Sequence, residues 1–280
     1  MGALESILSL EQPEEDRKLG LETPAQYRER WISIRIMYYA GFLIFLAFGI
    51  VATGIWPYIS SLEPTTRKDF ITYIFATPPF CQLLFSPLFG WWANDSRSIR
   101  IPLIILGSTF TTAYVIYALT GEFEFDRKYV LVFARALAGI GTVTLAIARA
   151  YISTATRVSE RTRTISFMSL AQSIGLLVGP LYQSGFSKLG EIGVRVLNLL
   201  DINMYTMAGW ISVIHGVIYI VLLMPWTFNV HPIAMKEANL GHGTKISKNS
   251  RKSLDLNLFP VLMMVICFGL NMFIYVEFQT

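Results

Sequence analysis

The sequence predicts an all-α membrane protein in which six transmembrane helices form one bundle and a seventh helix follows. Hydrophobic residues make up 53% of the 280 positions and charged residues only 15%. A soluble domain carries about 25% charged residues, so this composition excludes a soluble globular enzyme. Long runs with almost no charged side chains recur along the chain, and each is close to the roughly 20 residues that a helix needs to cross a bilayer. The runs are continuous and rich in Leu and Ile, which excludes a barrel of strands of about 10 residues with alternating polarity.

The apolar segments alternate with polar loops, and their approximate bounds are 36–60, 69–93, 101–120, 129–154, 165–189, 204–226 and 256–280. We predict four regions from them: a cytosolic N-terminal tail (1–35), a six-helix transmembrane bundle (36–228), a basic cytosolic linker (229–254) and a seventh transmembrane helix (255–280). The seventh helix would begin a second helical bundle that this chain does not contain.

The distribution of Lys and Arg predicts which loops face the cytosol. If the N-terminus is cytosolic, the cytosolic pieces hold 15 of these residues and the opposite side holds 6. Cytosolic loops of membrane proteins carry such an excess of positive charge. We therefore interpret the net charge of +4 as loop charge, not as a nucleic-acid-binding patch.

The loop between segments 2 and 3 holds Gly90, Asn94, Asp95, Arg97 and Arg100. Its carboxylate and guanidinium groups can pair with each other or with helix ends. Such pairs would act as a conformational latch in a transporter whose parts rock against each other. The alternative is that these residues only mark a membrane boundary.

Segment 4 carries two arginines inside an apolar run, Arg135 and Arg149. They are 14 residues apart, or about 21 Å along a helix. A buried Arg is costly in a bilayer, so each should face a cavity or a partner. Arg135 is our candidate for holding an anionic group, and Arg149 our candidate for the latch, with snorkelling to the interface as the alternative for both. Glu277, in segment 7, is the second candidate in the cavity, unless it is solvated at the interface.

Glycines at short spacing predict where helices approach closely. Gly139 and Gly141 follow Arg135 in segment 4, and Gly175, Gly179 and Pro180 lie in segment 5. Small residues four apart let helix backbones meet, and a proline can bend a helix. If segments 1–3 and 4–6 are repeats, segments 2 and 5 are both interrupted by Gly and Pro at equivalent places. That pattern favours a transporter with inverted repeats, with ordinary packing glycines as the alternative.

The residues that enzymes and metal sites need are not arranged for such chemistry. The sequence has no nucleophile–base set, no phosphate-binding loop and no metal-ligand spacing, and its cysteines, Cys81 and Cys267, both lie in apolar runs. His215, in segment 6, is more simply explained as a core residue than as a proton relay. We predict a protein that is not an enzyme and has no cofactor, with the lipid bilayer and a small solute or anion as its partners.

Taken together, these motifs resemble the major facilitator superfamily, whose N-terminal half has six helices and a basic cytosolic linker. The residues that carry the resemblance are Gly90 and Asn94 in the 2–3 loop, Arg135, Gly139 and Gly141 in segment 4, and Gly175, Gly179 and Pro180 in segment 5. Asn94 stands where the family's loop motif has Asp, and Asp95 where it has a basic residue. In segment 5, Gln183 and Ser184 replace the usual downstream glycine pair, which argues against an antiporter.

Other stretches resemble a lysosomal branch of the superfamily: Arg30-Trp31, Gly54 to Tyr58, Arg149 to Ile152 and Ile202 to Thr206. This resemblance implies a late endosomal or lysosomal membrane, and chloride as the transported anion. Two other function classes stay open from the sequence. One is a truncated, non-transporting half-protein or scaffold, and the other is a seven-helix receptor. The charge distribution argues against the receptor because it places the N-terminus in the cytosol.

Overall fold

The computed structural model describes residues 20–64, 66–96, 98–123, 126–187, 190, 194–196 and 200–241. Within them the chain is almost wholly helical, which confirms the predicted all-α fold. The helices are α1 (Pro24–Leu62), α2 (Phe70–Asp95), α3 (Arg100–Ala118), α4 (Arg127–Thr142), α5 (Thr144–Ala155), α6 (Val158–Phe186), α7 (Thr206–Leu222) and α8 (Ile233–Gly241). A short antiparallel hairpin of β1 (Val194–Val196) and β2 (Leu200–Ile202) lies between α6 and α7 and was not predicted.

In the part of the chain that the structure describes, four helical stretches are long and apolar enough to cross a membrane: α1, α3, α6 and the α4–α5 pair. The α7 helix is apolar but has only 17 residues. The α2 helix has 26 residues and carries three internal prolines. The predicted seventh transmembrane helix, with Glu277, lies outside the described residues, as does Arg97.

The first helix begins at Pro24, well before the predicted Ile36, so the end of the predicted tail is helical. Its start has a capping box. The Gln26 backbone N–H donates to Thr23 Oγ1 at 3.3 Å, and the Thr23 N–H donates to Gln26 Oε1 at 3.1 Å. These bonds satisfy donors that a helix end leaves free, and Pro24 at the first position has no N–H to satisfy.

Predicted segment 4 is two helices instead of one, because α4 and α5 meet at Val143. At this point the Val143 N–H donates to the Ile140 carbonyl at 3.1 Å, three residues back. The Thr142 hydroxyl also donates to the Gly139 carbonyl, at 2.6 Å. Bonds over three residues tighten the helix locally, which explains the interruption.

The packing of the helices has an internal symmetry. Segment 1 (α1) packs against segments 5 and 6 (α6 and α7), while segment 4 (α4) packs against segments 2 and 3 (α2 and α3). The remaining large contact joins segments 3 and 6. Exchanging segments 1–3 with segments 4–6 leaves this set of pairs unchanged, as an inverted repeat requires.

The described contacts also show which loops lie at the same end of the bundle. At one end, which we call the Arg30 end, Arg30 bonds to Ala155 and Glu160, and Arg100 bonds to Phe228. At the opposite end, Glu63 pairs with Lys128 at 3.3 Å. The start of α1 and the 2–3 and 4–5 loops therefore share one end, as the predicted topology requires.

The helices α2 and α6 are much less buried than α1. Only Ile74 and Pro78 are buried in α2. The buried residues of α6 form one stripe that faces α1: Thr164, Met168, Gln172, Gly175 and Gly179. The remaining surfaces of both helices expose large apolar side chains, among them Leu83 and Trp91 on α2 and Leu177 and Leu181 on α6.

Candidate functional site

The most completely buried charge in the described residues is Arg30, whose side chain is 0% exposed. Its Nε and Nη2 donate to the two carboxylate oxygens of Glu22, at 3.0 and 2.5 Å. Its Nη1 donates to Glu160 Oε2 at 3.0 Å and to the Ala155 carbonyl at 3.1 Å. We call these four residues the Arg30 cluster. It ties the start of α1 to the end of α5 and the start of α6.

A second set of bonds at the Arg30 end holds the chain that follows α7. The Ser33 hydroxyl donates to the Asn229 carbonyl at 2.9 Å and accepts from the Asn229 N–H at 3.0 Å. The Tyr151 hydroxyl donates to the same carbonyl at 3.0 Å. The region after α7, predicted as a linker, is therefore fixed to α1 and α5 where it begins.

Those residues of the predicted latch that the structure describes do not form one cluster. Gly90, Asn94 and Asp95 are exposed near the end of α2. Arg100 instead donates from Nη2 to the Phe228 carbonyl, and its guanidinium lies 6.0 Å from the Phe228 ring centroid. Arg100 therefore fastens α3 to the chain after α7, and a latching role for this loop stays a prediction.

The structure places Arg149 away from that loop. This exposed residue of α5 donates from Nη2 to the side-chain Oε1 of Gln172 on α6 at 3.2 Å. Gln172 is only 6% exposed, and its Nε2 has no hydrogen-bond partner in the described part of the chain. The guanidinium thus reaches along α6 towards the interior of the span, not towards the Arg30 end.

Arg135 belongs to α4 and lies where this helix packs against α3. Its residue surface is 4% exposed, and its Nε has no hydrogen-bond partner among the described residues. Its charge interacts with the hydroxyls of Tyr114 and Tyr117 on α3. Tyr117 in turn packs against Tyr58 of α1, with ring centroids 5.4 Å apart. Arg135 is therefore enclosed by phenols, and binding of an anion there stays a prediction.

The segment 5 glycines lie where α6 crosses α1. A Cβ on Gly175 would collide with the carbonyl oxygen of Phe42, and one on Gly179 would lie 2.7 Å from the backbone of Gly49. Pro180 is exposed at this crossing, and α6 continues through it to Phe186. Glycine lets the two backbones approach at this crossing.

The segment 4 glycines make the equivalent contacts on the other side of the bundle. A Cβ on Gly139 would collide with the Pro78 backbone of α2, and one on Gly141 would lie 2.6 Å from Phe110 Cβ of α3. Because neither glycine has a side chain, α4 can approach both helices closely.

His215 is half-buried on α7, and its Nδ1 lies 2.7 Å from the Tyr39 hydroxyl of α1. The Phe42 ring lies 6.4 Å from the imidazole ring. The residue is therefore paired within a packing interface, and these contacts do not connect it to either arginine.

Two groups of residues were not predicted as sites. Arg30 contributes to the sequence interpretation only as a positive loop charge and as part of the Arg30-Trp31 stretch, because its partner Glu160 is 130 residues away in the chain. Gln172 was not singled out. The available signal was a glutamine in the middle of an apolar run, on the helix next to the one that carries Arg149.

A bundle of membrane-length helices with arginines inside its spans is a polytopic membrane protein of transporter type. Consistently, the family model for the Major Facilitator Superfamily matches residues 37–279. The chain belongs to the Major Facilitator Superfamily, a family of transporters that are typically not enzymes.

Curated relatives agree with this assignment. The chain is 31% identical over 275 residues to the "Major facilitator superfamily domain-containing protein 8" of Xenopus laevis, which covers 95% of the chain and 53% of that relative. It is 29% identical over 168 residues to an "SPX domain-containing membrane protein" of Oryza sativa subsp. indica, covering 59% of the chain and 21% of that relative. The chain thus spans about half the length of the first relative and about a fifth of the second.

Proposed function

We propose that this protein takes part in moving a small solute or anion, with chloride as the candidate, across an endolysosomal membrane. The proposal rests on the burial of Arg135. Arg135 is 4% exposed as a residue, and its charge interacts with the tyrosine hydroxyls of α3. A guanidinium keeps its charge in proteins, and a positive charge inside a span favours anions over cations along a transport path.

The proposed movement is alternating access or gated conduction between two helical bundles. In this proposal a second bundle packs on the exposed apolar surfaces of α2 and α6. The contact symmetry between segments 1–3 and 4–6 supports this mechanism, because transporters with inverted repeats rock one bundle against the other around a fixed site.

The proposed orientation places the Arg30 end in the cytosol, because the loops at that end carry most of the Lys and Arg. The lysosomal location rests on the stretches that resemble a lysosomal branch of the family. An N-terminal epitope reached by antibody when the plasma membrane alone is permeabilised, in compartments that hold a lysosomal marker, would support both. An epitope reached only after the lysosomal membrane is also permeabilised would overturn the orientation.

The test of transport is chloride flux into lipid vesicles that contain the purified protein. We expect Arg135→Ala to lower the flux at least about tenfold, which corresponds to about 1.4 kcal/mol, and Arg135→Lys to keep more of it. The matched control is Arg127→Ala at the start of the same helix, where Nε donates to the Phe123 carbonyl at 3.2 Å. Background flux from the wild type and Arg135→Ala alike would favour a non-transporting half-protein or scaffold.

A further inference from the structure

Two arginines lie near the Arg30 end of the bundle where α1 packs against α6. Arg35 of α1 is partly exposed, and Arg163 of α6 is exposed. Both charges act on the hydroxyl of Tyr38, which is enclosed beside Thr164 of α6. Because one hydroxyl is within range of both charges, the two guanidinium groups lie near each other, one on each helix.

The carboxylate closest to this pair is engaged by other arginines. Glu160 also acts on the Tyr38 hydroxyl. Its Oε2 accepts from Arg30 Nη1 at 3.0 Å, and its Oε1 lies 3.5 Å from Arg157 Nη2. Among the described residues, positive charges therefore exceed negative charges around Tyr38, and such a surface attracts an anionic ligand.

The surface next to the arginines, one to two turns deeper in the span, is apolar. The helices α6 and α7 make little contact with each other, so one face of α1 stays open between them. Tyr39 and Phe42 follow Arg35 on that face, partly exposed, and their rings stack with centroids 6.4 Å apart. Leu170 is exposed on α6, two turns after Arg163 on the same side of the helix. Positive charge at the end of a span, above an exposed apolar strip, is complementary to an anionic lipid.

We propose that Arg35 and Arg163 bind the phosphomonoester of an inositol lipid, whose acyl chains lie along the open face of α1. A phosphomonoester carries a charge of about −1.5 to −2 at neutral pH, which matches two guanidinium groups, and guanidinium groups bind phosphate through paired N–H bonds. The lipid contacts the guanidinium groups and not the enclosed Tyr38 hydroxyl. The site is independent of the proposed transport, and in the proposed orientation it faces the anionic cytosolic leaflet.

The test is native mass spectrometry of the full chain in detergent micelles with equal concentrations of phosphatidylinositol 4-phosphate, phosphatidylinositol and phosphatidylserine. We expect the wild type to retain the first lipid at least about fivefold over the other two, because each basic contact near a membrane contributes about that factor. Arg35→Gln and Arg163→Gln should each lower its retention at least about fivefold, for the same reason. Arg163 is exposed, so its replacement leaves the packing of α6 on α1 intact.

Arg28 provides the matched control. It is exposed on α1 at the same end of the bundle, seven residues before Arg35, or about 10 Å along the helix. Arg28→Gln removes the same charge, and screening over this distance should keep retention of phosphatidylinositol 4-phosphate within about twofold of the wild type.

A competition arm separates a lipid from a free phosphate. We expect the soluble headgroup, which has no acyl chains, to displace the lipid poorly because it cannot use the apolar strip. Displacement at equal concentration would overturn the proposal by showing a site for free phosphate. Equal retention of the three lipids, or equal loss in Arg28→Gln and Arg163→Gln, would also overturn it. The measurement involves neither chloride flux nor membrane orientation, so its failure leaves the proposed function untouched.

Discussion

Replacing Arg30 by Met should destabilise the bundle more than any other single charge removal in the described residues. Methionine has a long side chain like arginine, but it carries no charge. The substitution therefore removes the cation shared by the Glu22 and Glu160 carboxylates, whose side chains are 3% and 17% exposed. Breaking a buried ion pair in this way costs about 3–5 kcal/mol. We expect a loss of unfolding free energy in that range.

The chain contains a matched ion pair at the surface. Arg67 Nη2 lies 3.0 Å from Asp69 Oδ2, but the two side chains are 87% and 77% exposed. Such a pair is worth about 0–1 kcal/mol, so Arg67→Met should change stability little. The measurement is denaturant unfolding in mixed micelles followed by circular dichroism. A loss below about 1 kcal/mol for Arg30→Met, equal to that of Arg67→Met, would mean that burial adds nothing to the stability of the Arg30 cluster.

Three further predictions follow from the packing and charges. Gly175→Ala should lower the free energy of unfolding by about 1–3 kcal/mol, because the added methyl group would collide with the Phe42 carbonyl. Unchanged stability in the same unfolding assay would contradict the close crossing of α1 and α6. Gly90→Ala, where an added Cβ meets nothing within 4 Å, should stabilise α2 by up to about 1 kcal/mol through helix propensity, and a loss would show an unseen contact at this loop. Glu63→Gln removes the partly exposed pair with Lys128 at the opposite end and should cost less than about 1 kcal/mol; a cost like that of Arg30→Met would show that the two ends do not differ.

The sequence is sufficient to predict the fold class because the bilayer imposes a length and a polarity on each helix. It is also sufficient to identify the glycines of segments 4 and 5 as close-approach positions, since Gly139 and Gly175 both meet the backbone of a neighbouring helix. It does not reveal which side of a helix faces the bundle. Lipid is as apolar as the packed interior, so the apolar pattern does not distinguish the two sides.

That limit explains the outcome for the two arginines of segment 4. From spacing alone, Arg135 was the cavity candidate and Arg149 the latch candidate. The structure encloses Arg135 beside tyrosines and exposes Arg149 beside Gln172. The Arg30 cluster was out of reach for another reason. Its bonds to Ala155 and Glu160 join residues 125 and 130 positions apart, which only the tertiary fold brings together.

An exposed arginine inside a span should face water and not lipid, so the proposed transport requires that the side of α5 that carries Arg149 borders an aqueous path. Ala146 is exposed and lies one turn from Arg149 on the same side of α5. The direct measurement is the reaction of Ala146→Cys with a membrane-impermeant thiol reagent in vesicles, in a chain whose own cysteines are replaced by Ser. The control is Val217→Cys on α7, an apolar residue that is 48% exposed and that we expect to face lipid. We expect rapid labelling of Ala146→Cys and slow labelling of Val217→Cys. Equally slow labelling at both positions would show that no aqueous path lies beside this side of α5.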